Sequence, residues 1–113
     1  TEVIIGANRE DGYGHLVAFG LGGIYTEALK DVQFRLAPLS TEEAEGMIRA
    51  VRAFPIIRGV RGQPGMDTAL LADMLIRVGL LVSDFPQIQE MDLNPVKGHG
   101  TDLYAVDARI MVD

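Results

Sequence analysis

Between Ala69 and Val82 the chain carries only two charged side chains, Asp73 and Arg77, and the rest of the stretch is apolar or glycine. It is too short and too charged to cross a bilayer, which takes roughly 20 apolar residues. As a helix it would run from about Asp67 to Ser83 and stop before Pro86. Asp73 and Arg77 form an i,i+4 pair on its one polar strip. The remaining surface is apolar nearly all round, so it has two readings: burial on more than one side, or a face turned to a partner. Whatever the fold, it has to cover this helix.

The flanking segments suggest what covers it. Glu2–Ala7 reads as a strand through Val3, Ile4 and Ile5, and Leu16–Phe19 as a second. The polar, glycine-bearing run from Asn8 to Gly14 would join them as a hairpin connection. Gly20-Leu21-Gly22-Gly23 breaks the pattern, and Val32–Leu36 alternates apolar and polar residues as a half-buried strand does. Ser40 and Glu43 have capping-box spacing at a helix start. Ala44, Met47, Ile48 and Val51 then follow on one helical face, and Pro55 is expected to end that helix. Ile56–Gly65 reads as loop with room for a short strand or turn. The chain finishes as a hairpin, Ile88–Val96 and Leu103–Val112, turning through Lys97–Asp102. The expected class is α+β: a mostly antiparallel sheet with two main helices on one face.

The 113 residues suffice for a single domain, 1–113, with a core of its own. A net charge of −6 argues against nucleic acid as a partner, since phosphates are met by clustered Lys and Arg. A nucleotide stays open as ligand, because a divalent ion can bring the missing positive charge. The absence of cysteine removes disulfides, thiolate catalysis and Cys-based zinc sites, and two histidines are too few for a His-rich metal centre. No signal peptide is visible and the first residue is Thr, so the expectation is a cytoplasmic segment of a longer chain, with no membrane partner.

The chemistry concentrates in the final hairpin. Strand alternation puts Asp92 and Asn94 on one face, and on the partner strand Asp107 and Arg109 share a face. A turn centred near His99 would set Asp92 across from Asp107. Like charges directly opposite cost roughly 0.2–1 kcal/mol unless something compensates. A magnesium ion held jointly with substrate phosphates would do so, since two carboxylates and an amide carbonyl are hard oxygen ligands. Pro95 withholds a ladder donor, so the strand should bend or end there. Arg109 would set a guanidinium beside a phosphate. The plainer reading stands beside this one: Asp-Leu-Asn-Pro also ends ordinary strands, and Asp107 with Arg109 also reads as a surface pair.

Other features are weaker. Gly20-Leu21-Gly22-Gly23 follows a strand, where glycine loops can wrap phosphate, but it matches neither the dinucleotide fingerprint nor the P-loop; a tight turn explains it as well. His15 and His99 could take a phosphoryl group in principle, yet both read more simply as surface histidines. Arg35, Arg49, Arg52, Arg58 and Arg61 suggest an anionic groove, though Arg49 and Arg52 also fit the solvated side of the first helix.

Taken in order, Glu2-Val-Ile-Ile-Gly6, Phe19-Gly-Leu-Gly-Gly-Ile24, Phe34-Arg-Leu-Ala-Pro-Leu39, Gly59-Val-Arg-Gly62, Asp92-Leu-Asn-Pro95 and Val106-Asp-Ala-Arg109 carry a resemblance. Across essentially its whole length the chain resembles the later part of the ATP-grasp domain of ADP-forming acyl-CoA synthetases, relatives of succinyl-CoA synthetase. The resemblance implies one subdomain of an ATP-grasp fold. It implies an enzyme interconverting acyl-CoA, ADP and phosphate with free acid, CoA and ATP through acyl phosphate and phosphohistidine. Asn94 and Asp107 would hold Mg2+ with Asp92 as the acidic member of the motif, where the succinyl branch often carries Glu. Arg109 would be the catalytic, nucleotide-contacting cation, and Gly22 and Gly23 would lie near the nucleotide (ATP or ADP) or the incoming phosphohistidine. CoA and the carboxylic acid would be bound by other domains or a partner subunit. The preceding ATP-grasp subdomain, with its adenine pocket and phosphate-binding lysine, would complete the clamp. Two alternatives remain: a regulatory ATP-grasp-like module of a protein acetyltransferase, and a non-catalytic α+β scaffold.

Overall fold

The computed structural model describes residues 1–22 and 31–113. Their order is β1 (Glu2–Glu10), β2 (Gly14–Leu21), β3 (Val32–Leu36), α1 (Thr41–Ala50), α2 (Phe54–Arg58), β4 (Gly59–Val60), β5 (Gln63–Pro64), α3 (Thr68–Asp84), β6 (Ile88–His99), β7 (Asp102–Ala105) and β8 (Ala108–Val112). The main sheet runs β3-β2-β1-β6-β7, with β8 also paired to β6, and every pairing is antiparallel. The α+β class holds, with α1 and α3 on one side of this sheet and the short α2 beside them.

Alternation sorts the sheet into two sides. Val3, Ile5 and Ala7 of β1, Val17 and Phe19 of β2, and Met91 and Val96 of β6 turn toward the helices and are at most 4% exposed. They meet Ala44, Met47 and Ile48 of α1 and Leu71, Leu75, Val78 and Val82 of α3 in one core. Each large apolar side chain so buried contributes about 1.5–3 kcal/mol, as an upper estimate.

The helix ends follow local chemistry. Ser40 Oγ accepts from the Glu43 amide at 3.1 Å while the Glu43 carboxylate accepts from the Ser40 amide at 3.0 Å, completing the capping box. Such a cap stabilises by about 1 kcal/mol. Asp67 caps α3 by accepting from the amides of Ala69 and Leu70. Pro55 does not end α1, which already stops at Ala50; it lies in the first turn of α2, where a missing N–H costs nothing. Asp31 makes that interruption possible, for its buried carboxylate accepts from the amides of Arg52 (2.7 Å) and Ala53 (3.0 Å). The segment read as loop thus holds a helical turn and a two-strand hairpin.

α3 answers both readings of its apolar surface in part. One broad face is buried, while Leu70 and Leu80 on its flanks are 40% and 48% exposed. Among the described residues no helix is long and apolar enough to cross a membrane.

The β1–β2 hairpin is longer than the sequence suggested, its connection shrinking to Asp11–Tyr13. Polar residues at its tip find distant partners. Arg9 pairs with His15 in the ladder. The His15 imidazole Nε2 lies 2.6 Å from the Ile88 carbonyl, and the ring is 4% exposed, so His15 is a buried tie rather than a surface histidine. The Arg9 guanidinium donates to the Pro86 carbonyl and to both oxygens of Asp113. Those hydrogen bonds, ahead of the charge attraction itself, hold the Asp113 carboxyl below and the Arg9 guanidinium above their ordinary values.

Candidate functional site

The side of the sheet away from the helices carries the candidate chemistry, and the ladder registers lay it out in rows. One row runs Phe34–Ala18–Gly6–Asp92–Arg109 from β3 to β8. The next runs Val32–Gly20–Ile4 and reaches β6 at Asn94 and Pro95, which together face Ile4 because the β1–β6 register shifts there. This bulge falls where Pro95 lacks an N–H. The strand does not end at Pro95, as the proline suggested; it changes partner, from β8 before the bulge to β7 after it.

The register corrects the expected pairing of the carboxylates. Asp92 lies opposite Arg109, not Asp107. Asn94 is the residue that meets Asp107: its amide donates to the Asp107 carbonyl at 3.1 Å, and the Val106 amide donates to the Pro95 carbonyl at 2.9 Å. The cause is the turn. His99 pairs with Asp102, leaving Gly100-Thr101 as a two-residue connection, with Gly100 at φ +62°, a conformation glycine adopts without penalty. The other glycine of this stretch, Gly98, stays in the ladder opposite Leu103, where a Cβ would lie 2.8 Å from the end of the Leu103 side chain. The like-charge argument for a cation between Asp92 and Asp107 therefore falls, since Asp92 directly faces a guanidinium.

What remains is a smaller donor set. Asn94 and Asp107 are adjacent, exposed, and make no side-chain hydrogen bond among the described residues. The two residues meet through their backbones, and their side chains, an amide and a carboxylate, are of the hard oxygen-donor type that Mg2+ takes beside water and phosphate. Among the described residues no cluster of three His, Cys, Asp or Glu could hold a metal. Asp92 is half-buried two positions along the same face. Its neighbour in β1 is Gly6, where a Cβ would come 3.9 Å from the Asp92 Cβ. No ion pair within 4 Å joins Asp92 and Arg109, and a depression of about 280 Å3 lies beside them, lined also by Glu90.

Gly22 sits at the sheet's margin, its amide donating to the Glu2 carbonyl at 2.8 Å; a Cβ there would lie 3.1 Å from the Glu2 backbone. Gly20 is more tightly constrained, since a Cβ there would lie 2.8 Å from the Asp31 carbonyl oxygen. Close packing thus accounts for two glycines of the run, and Gly23 lies outside the described residues. His99 ends β6 opposite Asp102 rather than sitting in the turn, a carboxylate neighbour that spacing did not reveal. Gly6 and Glu90 also went unnoticed, though simple alternation from Asp92 would have placed Glu90 on this face. A depression of about 610 Å3 beside Arg9 and His15, at the β1–β2 tip, touches none of these residues.

The ATP-grasp domain family matches residues 1–112, and the chain belongs to that family. Within it the chain is similar to ADP-forming acetate–CoA ligases. It is 45% identical over 111 residues to the beta subunit of acetate–CoA ligase (ADP-forming) I from Pyrococcus furiosus, covering 98% of this chain and 48% of that subunit. It is also 45% identical over 111 residues to the Archaeoglobus fulgidus acetate–CoA ligase (ADP-forming) I, covering 16% of that longer protein. The chain thus spans about half of the one relative and a much smaller part of the other. Among solved structures it matches a dinucleotide-forming acetyl-coenzyme A synthetase 1 from Ca. Korarchaeum cryptofilum with TM-score 0.94 and 44% identity, over 99% of this chain and 53% of that one. That structure is a complex with coenzyme A and Mg-AMPPCP, its phosphohistidine segment pointing towards the nucleotide-binding site.

Proposed function

We propose that this chain is the metal- and phosphate-binding part of an ADP-forming acyl-CoA synthetase, in which thioester cleavage is coupled to ATP formation through acyl phosphate and phosphohistidine. The observation that carries the reading is the backbone hydrogen bond that sets Asn94 beside Asp107, both of them exposed. A bound Mg2+ would neutralise charge on the nucleotide phosphates, which is the main requirement of phosphoryl transfer. Asn94 and Asp107 would hold that ion, and Asp92 would reach it directly or through water. Arg109 would aim its guanidinium at a phosphate oxygen from the next row. Gly22, and by the resemblance Gly23, would border the nucleotide or the approaching phosphohistidine. The 45% identity to ADP-forming ligases and the Mg-AMPPCP complex of a similar synthetase support this assignment.

The adenine pocket, the CoA site and the phosphorylated histidine belong in this reading to other parts of a cytoplasmic enzyme. Two consequences are measurable. In the full-length parent, Asn94→Ala should lower magnesium-dependent turnover at least tenfold, the loss of one metal donor; unchanged turnover would favour the scaffold. The 113-residue chain alone should neither turn over acyl-CoA nor bind ATP with micromolar affinity in calorimetry. A parent fused to an acetyltransferase and lacking a phosphorylated histidine would point to the regulatory module instead.

A further inference from the structure

Beyond the Asn94–Asp107 pair the same face continues into a second group of polar side chains. The bulge at Pro95 resets the alternation, so that Val96 and Gly98 turn to the core while Lys97 and His99 turn outward. Lys97 sits in a row with Glu2 on one side and Tyr104 on the other, and Gly22 lies against Glu2 at the row's end. Glu2, Lys97, His99 and Tyr104 line a depression of about 310 Å3. Among the described residues Lys97 forms no ion pair within 4 Å, although Glu2 is its ladder partner. Lys97 is therefore an exposed cation with three donors and, among the described residues, no anion within 4 Å. At about 3.3 Å per residue it stands roughly 7–10 Å along β6 from Asn94, within reach of its own side chain plus a short chain of phosphates.

We infer that Lys97, with His99 and Tyr104 as further donors, forms an anion subsite that holds the far end of a metal-bound polyphosphate whose near end is anchored at Asn94 and Asp107. The inference rests on the metal reading above and extends it. One face then offers, in sequence along β6, oxygen donors for a divalent ion and a cation for the phosphate oxygens the ion does not cover. Glu2 opposes the anion and tunes the subsite: with the site empty its carboxylate partly neutralises Lys97, and a polyphosphate must compete with it.

The test uses the 113-residue chain, amide-resolved NMR, Mn2+ as the metal probe and inorganic tripolyphosphate as the anion probe. Mn2+ alone should broaden the amides around Asn94 and Asp107. Tripolyphosphate added to the Mg2+-loaded chain should shift Lys97, His99 and Tyr104. Lys97→Ala should weaken tripolyphosphate about fivefold, as for an exposed charge pair, with Mn2+ broadening unchanged. Glu2→Gln should strengthen it. Broadening at Asn94 without tripolyphosphate shifts at Lys97, or equal affinity in Lys97→Ala, would overturn the subsite and leave the metal reading intact. Shifts at Lys97 that Lys97→Ala abolishes, with no broadening at Asn94, would keep the anion subsite and remove the metal anchor. Silence in both titrations would overturn both.

Discussion

The two sides of one sheet, made from alternate residues of the same strands, differ in every physical respect. On the helix side Val3, Ile5, Val17, Phe19 and Val96 are at most 1% exposed. On the other side Phe34 and Leu36 are about half exposed, Gly6 and Ala18 leave low ground, and the row rises again at Asp92 and Arg109. A core side demands volume, and its residues are exchangeable for others of similar size. The bare side carries small residues beside charged ones, a composition that contributes little to stability and leaves room for a ligand. The apolar half of the bare face, around Phe34, adjoins the polar half around Asp92, as a ligand with an apolar end and a charged end would require.

This contrast can be broken by measurement, and the largest effect belongs to the core. Phe19→Ala should cost about 3–5 kcal/mol of unfolding free energy in urea or guanidinium titration; a cost under 1 kcal/mol would mean that the helix side is not the structural side. Removing the cap that seats α1 over that side is milder. Ser40→Ala should cost about 1 kcal/mol, read in the same titration, with the ladder amides of β1 and β6 unchanged. On the bare face Phe34→Ser should change stability by no more than about 0.5 kcal/mol. A loss above 2 kcal/mol would show that this face is covered in solution, and sedimentation would then reveal self-association. The smallest effect concerns the edge. Arg9→Ala should speed hydrogen exchange in β8 at neutral pH, because it releases Asp113. The Asp113 carboxyl is depressed in the folded state, so the tie is present above its ordinary value of 3.8 and lost as pH falls through the lowered one. The difference between the variant and the unaltered chain should therefore vanish on acidification.

Much of the fold was legible because the relevant physics is local. The Ser40–Glu43 box, the one-faced spacing of α1, the apolar run of α3 and the alternation of β3 depend on neighbours within a turn or a pleat, and all appear where the sequence puts them. The β1–β2 hairpin was underestimated at its tip because Arg9 and His15 find partners more than 70 residues away. No local rule separates such a residue from a solvated one. Pro55 misled for a related reason: the helix it was expected to end had already stopped where Asp31 takes the amides of Arg52 and Ala53.

The final hairpin, which carries the candidate site, divides in the same way. Sequence alone determined that Asp92 and Asn94 share a strand, that Asp107 and Arg109 lie on the segment returning beside it, and that the chain as a whole resembles an ATP-grasp domain; the expected strand Leu103–Val112 is in fact two, β7 and β8, with Asp107 between them. Which of them meet was decided only in three dimensions. Gly98 and Gly100 are chemically alike, so the sequence offered two places to turn. In the fold Gly98 stays in the ladder opposite Leu103 and Gly100 takes the turn, so the register moved by two residues. That shift set Asn94 against Asp107 and Asp92 against Arg109. The bulge at Pro95 then brought Lys97 round to the same face. Alternation is a property of the strand, but register and bulges are set by what packs against it, and the chemistry of this face depends on both.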